Sequence, residues 1–236
     1  MKYSTILIQG AMDIEVEHLI KKLQGTENKT ITGYEFSIGN INNLKIIVSK
    51  TLIGTINATI ATTIGILSFK PDIVINQGIA GAHRENIHTG DIIVGERCAN
   101  INSYSMPKKG KGQKSNSLEW EPDKRAKQVK NADKNLTNEV YKFFKENSTN
   151  SVYQGTLGSG DAFNREVDRI NWISGKFDSL CEDMESIGVY SACQQFNVPC
   201  IGIRIISNNE ITDEELDEEQ AINLQKMLLD LLKYNI

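Results

Sequence analysis

The chain has 236 residues, 39% of them hydrophobic and 24% charged, which is enough apolar material for one sizeable α/β core. A formal net charge of -4 and the lack of a basic stripe argue against a nucleic-acid partner; the one basic run, residues 108–114, lies among Gly and Ser and reads as a solvated loop. The cysteines Cys98, Cys181, Cys193 and Cys200 form no CxxC pair and have no histidine at metal-ligand spacing, so they read as buried thiols, and no metal is expected.

Strand-like and helix-like runs then alternate. The apolar run at residues 5–8 is too short for a signal peptide or a membrane helix, which predicts a cytoplasmic protein with no membrane partner. Residues 6–10 predict a strand ending at Gly10. Residues 15–23 have helical spacing, with Val16, Leu19, Ile20 and Leu23 on one side. Residues 32–38 and 44–49 predict paired strands joined by a turn at 39–43. A long apolar helix runs from Gly54 to Phe69 and is stopped by Pro71. Strands follow at 73–76, 91–94 and 151–157. The polar residues 103–133, between the last two, predict a long loop. Helices are expected at 135–147 and 186–196. Residues 199–206 predict a buried strand interrupted by Arg204. Residues 213–234 predict a helix with an acidic start, which suits the helix dipole.

This alternation predicts one α/β domain over residues 1–236, with a mostly parallel central sheet and helices on both faces. Ligands in such sheets sit beyond the carboxyl ends of the strands. Those ends are at residues 10–12, 78–81, 159–163 and 204–208. The run Asn76-Gln77-Gly78-Ile79-Ala80-Gly81-Ala82 is neither a P-loop nor a full GxGxxG, so no nucleotide cofactor is expected. Glu15 and Glu185 both stand at helix starts, where an acid has a plain structural use. Arg204 lies within an apolar strand and must be paired or must face a ligand, because a bare buried guanidinium is very costly.

Several motifs agree in order along nearly the whole chain. Gly10-Ala11-Met12 with Glu15, Asn76-Gln77-Gly78-Ile79-Ala80-Gly81, Ser159-Gly160-Asp161-Ala162-Phe163, Asp183-Met184-Glu185, and Phe196-Asn197-Val198-Pro199 leading to Arg204-Ile205-Ile206-Ser207 resemble the 5'-methylthioadenosine/S-adenosylhomocysteine nucleosidases of the purine nucleoside phosphorylase superfamily. The resemblance implies a three-layer α/β/α sandwich around a mixed, barrel-like central sheet, a homodimer, no cofactor, and hydrolysis of a purine nucleoside. It implies that Glu15 positions and deprotonates the attacking water. It also implies that Met184 and Glu185 hold the ribose, Phe163 stacks on the purine, and Ala80 and Gly81 form the turn beside base and sugar. Met12 and Ile53 would contact the ribose and its 5'-substituent, Arg204 would lie near the water, and Ser207 and Asn208 would lie beside the purine N7.

Two positions depart from the family pattern. Ile79 replaces a small hydroxyl residue. Asn208 replaces the aspartic acid that donates a proton to N7; an asparagine donates a hydrogen bond but transfers no proton at neutral pH. In the wider family, asparagine here accompanies 6-oxopurine use. The acidic stretch 209–219 lacks an aromatic to cover a 5'-thioalkyl group, leaving Ile211 or Leu216 for that place. Residues 104–107 are expected near a neighbouring subunit's site. Family phosphorylases hold phosphate with arginines at the first and middle glycine turns, where this chain has Glu15 and Asn76-Gln77. Hydrolysis is therefore expected ahead of phosphorolysis. A third reading is a purine nucleoside-binding protein whose acid has been lost.

Overall fold

The computed structural model describes residues 3–126 and 128–234. Twelve strands and six helices alternate: β1 (Thr5–Gly10), α1 (Asp13–Ile20), β2 (Gln24–Ile31), β3 (Tyr34–Ile41), β4 (Leu44–Lys50), α2 (Thr55–Phe69), β5 (Ile73–Ala82), β6 (Ile92–Asn100), β7 (Tyr104–Ser105), β8 (Glu121–Pro122), β9 (Val129–Asn131), α3 (Lys134–Asn147), β10 (Val152–Ser159), α4 (Val167–Phe177), β11 (Ser179–Asp183), α5 (Ser186–Phe196), β12 (Cys200–Asn208) and α6 (Gln220–Lys233).

The main sheet has the order β11-β10-β6-β12-β5-β1-β4-β3-β2, with β9 beside β6. β11 also pairs antiparallel with β5, placing Glu182 opposite Gly81 and Cys181 opposite Ala82. That pairing closes β5, β11, β10, β6 and β12 into a ring and leaves β1, β4, β3 and β2 as an extension. Successive side chains point to opposite faces. Ile6 and Ile8 therefore join the core under α1, α3 and α6, where Leu19, Phe144 and Leu228 pack. Leu7 joins the opposite core with Ala58 of α2 and Val189 of α5. The result is the mixed, barrel-like sheet between two helical layers that the resemblance implied.

α2 and α5 cross closely because Gly188 meets the backbone oxygen of Thr55, leaving no room for a Cβ. The four cysteines are free and buried. Among the described residues no helix is long and apolar enough to cross a membrane.

Several expectations need correction. The sheet expected to be mostly parallel is mixed, with β5–β11, β6–β12, β2–β3, β3–β4 and β6–β9 paired antiparallel. β2 was not predicted: all but one of its residues are exposed, and it has no apolar alternation to signal a strand. It exists through pairing with β3 across the turn Thr32-Gly33, both at positive φ, the geometry of a two-residue hairpin. The predicted turn at 39–43 shrinks to Asn42 and Asn43, because Ile41 pairs directly with Leu44. The helix expected from 213 begins only at Gln220. Before it, Glu214 accepts the Thr89 N–H at 2.7 Å and Asp217 accepts the Glu219 N–H at 3.0 Å, so these acids build turns.

The insertion at 103–133 is more than a loop. β7 pairs with β8, and β9 joins β6. Tyr104 stacks on Trp120 with ring centroids 4.5 Å apart, and the Arg169 guanidinium lies over Trp172, Tyr104 and Trp120 at 4.2, 5.4 and 5.5 Å. Lys127 of this segment is outside the described residues. α4 and β11, also unpredicted, frame the ring closure.

Tyr190 ties the ring together. Its hydroxyl donates to the Gly95 oxygen of β6 at 2.8 Å and accepts the Gly202 N–H of β12 at 2.7 Å. Tyr190→Phe leaves a buried N–H unpaired and is expected to destabilise the fold by about 1–3 kcal/mol in urea unfolding. An unchanged midpoint would mean that the Gly202 N–H has another partner.

Candidate active site

A cavity of about 230 Å³ opens at the carboxyl ends of β1, β5, β11 and β12. Each strand end delivers one part of it. After β1 the chain turns through Ala11 and Met12 into α1, whose third residue is Glu15. The Glu15 carboxylate folds back over its own helix start. Its Oε2 accepts the N–H groups of Ala11 at 2.6 Å and Met12 at 3.1 Å, and its Oε1 accepts the Ile79 N–H at 2.9 Å. Gly78 makes this possible, since a Cβ there would strike the Glu15 carboxylate. The two glycine turns therefore serve one purpose: they let a buried carboxylate sit between β1 and β5. Burial pushes the Glu15 pKa above its ordinary value, although Arg204 and the three N–H groups pull it down.

β11 ends in Asp183, followed by Met184 and Glu185. Glu185 Oε1 accepts the Gly54 N–H at 3.0 Å. Burial first, then the neighbouring Asp183 charge, push the Glu185 carboxyl up to about 8; the Gly54 N–H and Arg204 only partly offset them. Asp183 is saturated. Its Oδ1 accepts from Ser159 Oγ at 2.7 Å and from the N–H groups of Glu185 and Ser186 at 3.0 and 2.8 Å; its Oδ2 accepts from Ser186 Oγ at 2.6 Å.

Arg204 lies behind the cavity wall and does not line it. It is 1% exposed. Nε donates to Asp183 Oδ2 at 3.0 Å, Nη1 to the backbone oxygens of Asn76 and Ile203 at 3.1 Å each, and Nη2 to Asn76 Oδ1 and to Ser186 Oγ at 2.8 Å. All five N–H donors of a guanidinium are thereby used, so Arg204 has none left for a ligand. Of the two readings open in the sequence, the structural ion pair is the one observed.

The remaining singled-out residues come together on the wall. Met12, Ile53, Ile79, Ala80, Gly81, Met184, Ser207 and Asn208 line the cavity with Phe163 at its mouth; Leu216 lines it and Ile211 does not. Asn208 stands beside Gly81. Its Oδ1 accepts from Ser207 Oγ at 3.0 Å, which turns the amide nitrogen towards Glu210 Oε1, 3.4 Å away. Within one chain, residues 104–107 lie elsewhere: Met106 and Pro107 line a separate hollow with Trp120.

Sequence reasoning missed Glu182. It also lines the cavity, and it is held by Asn164 and His83. A charge inside the buried run Ser179-Leu180-Cys181-Glu182-Asp183 carries the same signal that drew attention to Arg204.

The sequence profile of the phosphorylase superfamily matches residues 5–233. The 5'-methylthioadenosine/S-adenosylhomocysteine nucleosidase of an Exiguobacterium species is 31% identical over 233 residues, covering 96% of this chain and 96% of its own. That of Bacillus licheniformis is 30% identical over 238 residues, covering 97% and 98%. Two solved structures share the fold. The nucleosidase of the same name from Neisseria meningitidis, in complex with methylthio-immucillin-A, has a TM-score of 0.82 at 23% identity, covering 99% of this chain and 100% of its own. The futalosine hydrolase of Helicobacter pylori has a TM-score of 0.82 at 24% identity, covering 98% of each chain. The chain belongs to the phosphorylase superfamily, within its 5'-methylthioadenosine/S-adenosylhomocysteine nucleosidase family.

Proposed function

We propose that this protein hydrolyses the N-glycosidic bond of a purine nucleoside carrying a 5'-substituent. The observation that carries the reading is the buried Glu15 carboxylate on a cavity wall that also holds Glu182, Asp183, Glu185 and Glu218 and, among the described residues, no arginine or lysine. Such a wall repels phosphate and tolerates neutral water. Glu15, oriented by three N–H groups and raised above its ordinary pKa by burial, is built to take a proton from water attacking the anomeric carbon. The sugar develops positive charge as the bond to the base breaks. Glu185 faces the sugar and hydrogen-bonds its hydroxyls, holding the ribose in place as the bond breaks.

Phe163 offers the base a stacking surface. Asn208 donates a hydrogen bond to N7, and the proton that the departing purine needs comes from solvent. Met12, Ile53, Met184 and Leu216 suit an apolar 5'-group. The names of the curated relatives make 5'-methylthioadenosine and S-adenosylhomocysteine the first substrates to test. Asn208 favours a second reading, in which the base is a 6-oxopurine. Arg204 enters as a positioning residue behind Asp183.

A homodimer is part of the proposal. Ile56, Ile60 and Leu67 are 71%, 43% and 61% exposed and share one face of α2. An apolar stripe of this kind suits a second copy of the chain. The free buried thiols suit a cytoplasmic, reducing setting.

Base release is expected to proceed in phosphate-free buffer and to yield free sugar. Glu15→Gln should lower turnover by about 10²–10⁴-fold while retaining nucleoside binding. Strict phosphate dependence with a sugar 1-phosphate product would overturn hydrolysis, and binding without turnover in the wild type would leave a binding protein.

Glu185 makes stability depend on pH. Its carboxyl ionises near 4.5 when unfolded and at about 8 when folded. The fold therefore loses stability as pH rises from about 4.5 to 8 and no further above that. Glu185→Gln removes this loss, so its advantage in thermal midpoint should open across that window and then level off. A gap independent of pH would mean that Glu185 stays ionised in the fold.

Sedimentation should show a dimer at micromolar concentration, and Ile56→Glu should give a monomer with weakened activity. A fully active wild-type monomer would contradict the assembly.

A further inference from the structure

α1 is only eight residues long and carries Glu15 at its third position. A helix of two turns has little stability of its own in water, so what fixes it comes from outside. Two buried glutamines reach its backbone: Gln77 of β5, 1% exposed, and Gln225 of α6, fully buried. Neither lines the cavity.

In a regular helix the N–H of His18 pairs with the carbonyl of Ile14, and the N–H of Leu19 with the carbonyl of Glu15. Here each of these four groups meets a glutamine side chain. Gln225 Oε1 accepts the N–H groups of His18 at 3.0 Å and Leu19 at 3.2 Å. Gln225 Nε2 donates to the Ile14 carbonyl at 2.7 Å and to the Ala221 carbonyl of its own helix at 3.0 Å. Gln77 Nε2 donates to the Glu15 carbonyl at 2.5 Å. The two donors and two lone pairs of the Gln225 amide are thereby all used. Both side chains enter the hydrogen-bond ladder of α1 at the turn that leaves Glu15. A shift of the backbone there would carry the carboxylate with it.

The neighbouring residues make room for this arrangement. A Cβ at Gly10 would come within 2.9 Å of Gln77 Nε2 and 2.8 Å of Glu15 Cβ. Two residues beyond Gln77, the Ile79 N–H donates to Glu15 Oε1 at 2.9 Å. β5 thus grips one residue twice, its carbonyl through the Gln77 side chain and its carboxylate through the Ile79 backbone. α6 grips the same turn from a second direction.

We propose that Gln77 and Gln225 are positioning residues for the Glu15 base: they lock the first turns of α1 between β5 and α6 and so hold the Glu15 carboxylate at the Ile79 N–H. This rests on the reading of Glu15 as the base of the hydrolytic step. Neither glutamine touches the nucleoside. Their effect is on rate, because a reacting group displaced by about 1 Å can cost on the order of a hundredfold.

The test compares wild type with Gln77→Met, Gln225→Met and Glu15→Gln, using 5'-methylthioadenosine and inosine in phosphate-free buffer. Methionine keeps the length of glutamine and removes its amide. Each methionine variant should lose about ten- to a hundredfold in kcat with KM little changed. The acid limb of its kcat profile should also move to higher pH. A Glu15 that leaves the Ile79 N–H loses a donor that holds its pKa down, and a base works only above its pKa. Arg204 and Glu185, the charged groups coupled to Glu15, stay in place in both variants. Wild-type kcat and an unmoved acid limb in the folded variants would make the glutamines struts of the fold and overturn the proposal. If one variant does not fold, the other decides; if neither folds, the proposal falls. Hydrogen exchange gives an arm independent of turnover: the Ile79 N–H should exchange at least tenfold faster in either variant, measured against the Ile75 N–H of the same strand. Unchanged protection of Ile79 overturns the inference. If wild type cleaves neither nucleoside, or Glu15→Gln keeps wild-type turnover, the reading of Glu15 as the base falls, and Ile79 exchange still decides whether the glutamines hold its carboxylate.

Discussion

The buried pairing of Arg204 with Asp183 is the constraint on which the rest of the site depends. Each ion is 1% exposed, so both have lost their hydration. Such a pair is tolerable only when every remaining donor and acceptor is satisfied. Here the accounting closes: Arg204 reaches β5 through Asn76 and α5 through Ser186, and Asp183 receives Ser159 of β10 and the first N–H groups of α5. Five elements, β5, β10, β11, β12 and α5, are thus fixed by one ionic centre. Removing a single partner from such a pair typically costs about 3–5 kcal/mol, because a bare charge remains. The pair contributes little net stability, but it sets the positions of the strand ends.

With that centre in place, the fold holds carboxylates where folding alone would not put them. Glu15 and Glu185 are both raised above their ordinary range by burial. Each is an expense in stability that a glutamine would avoid, which is the usual relation between an active site and its scaffold. The glycines of the two turns admit Glu15 to the space between β1 and β5, at the same depth in the sheet as the arginine centre.

Much of this was legible in the residues. The apolar runs of β1 and β4, the length of α2 and the glycine-ended turns located the strands that carry the site. Elements lacking an apolar signature were not legible: β2 is an exposed edge held by pairing alone, and α4 and β11 become meaningful only when the sheet closes on itself. The acids at 213–219 imitate a helix start while serving turns. Arg204 was legible as a buried charge, but not as one whose donors are exhausted. Glu182 escaped notice because β11, the strand that buries it, was not recognised.

The start of α2 carries a further consequence. Its exposed N–H groups are met from outside the helix by two acids: Asp161 accepts from the Thr55 N–H and hydroxyl at 2.7 Å each, and Glu185 accepts from Gly54. One acid belongs to the segment leading to Phe163 and the other lines the cavity. A helix start attracts negative charge, so α2 acts as a common electrostatic anchor for both. The same helix carries the apolar stripe along its outer face. Any force that tilts α2 through that stripe therefore moves the donors that hold Glu185 and the Phe163 segment. Burial of that stripe and ionisation of the Glu185 carboxyl are thereby linked through a single helix end.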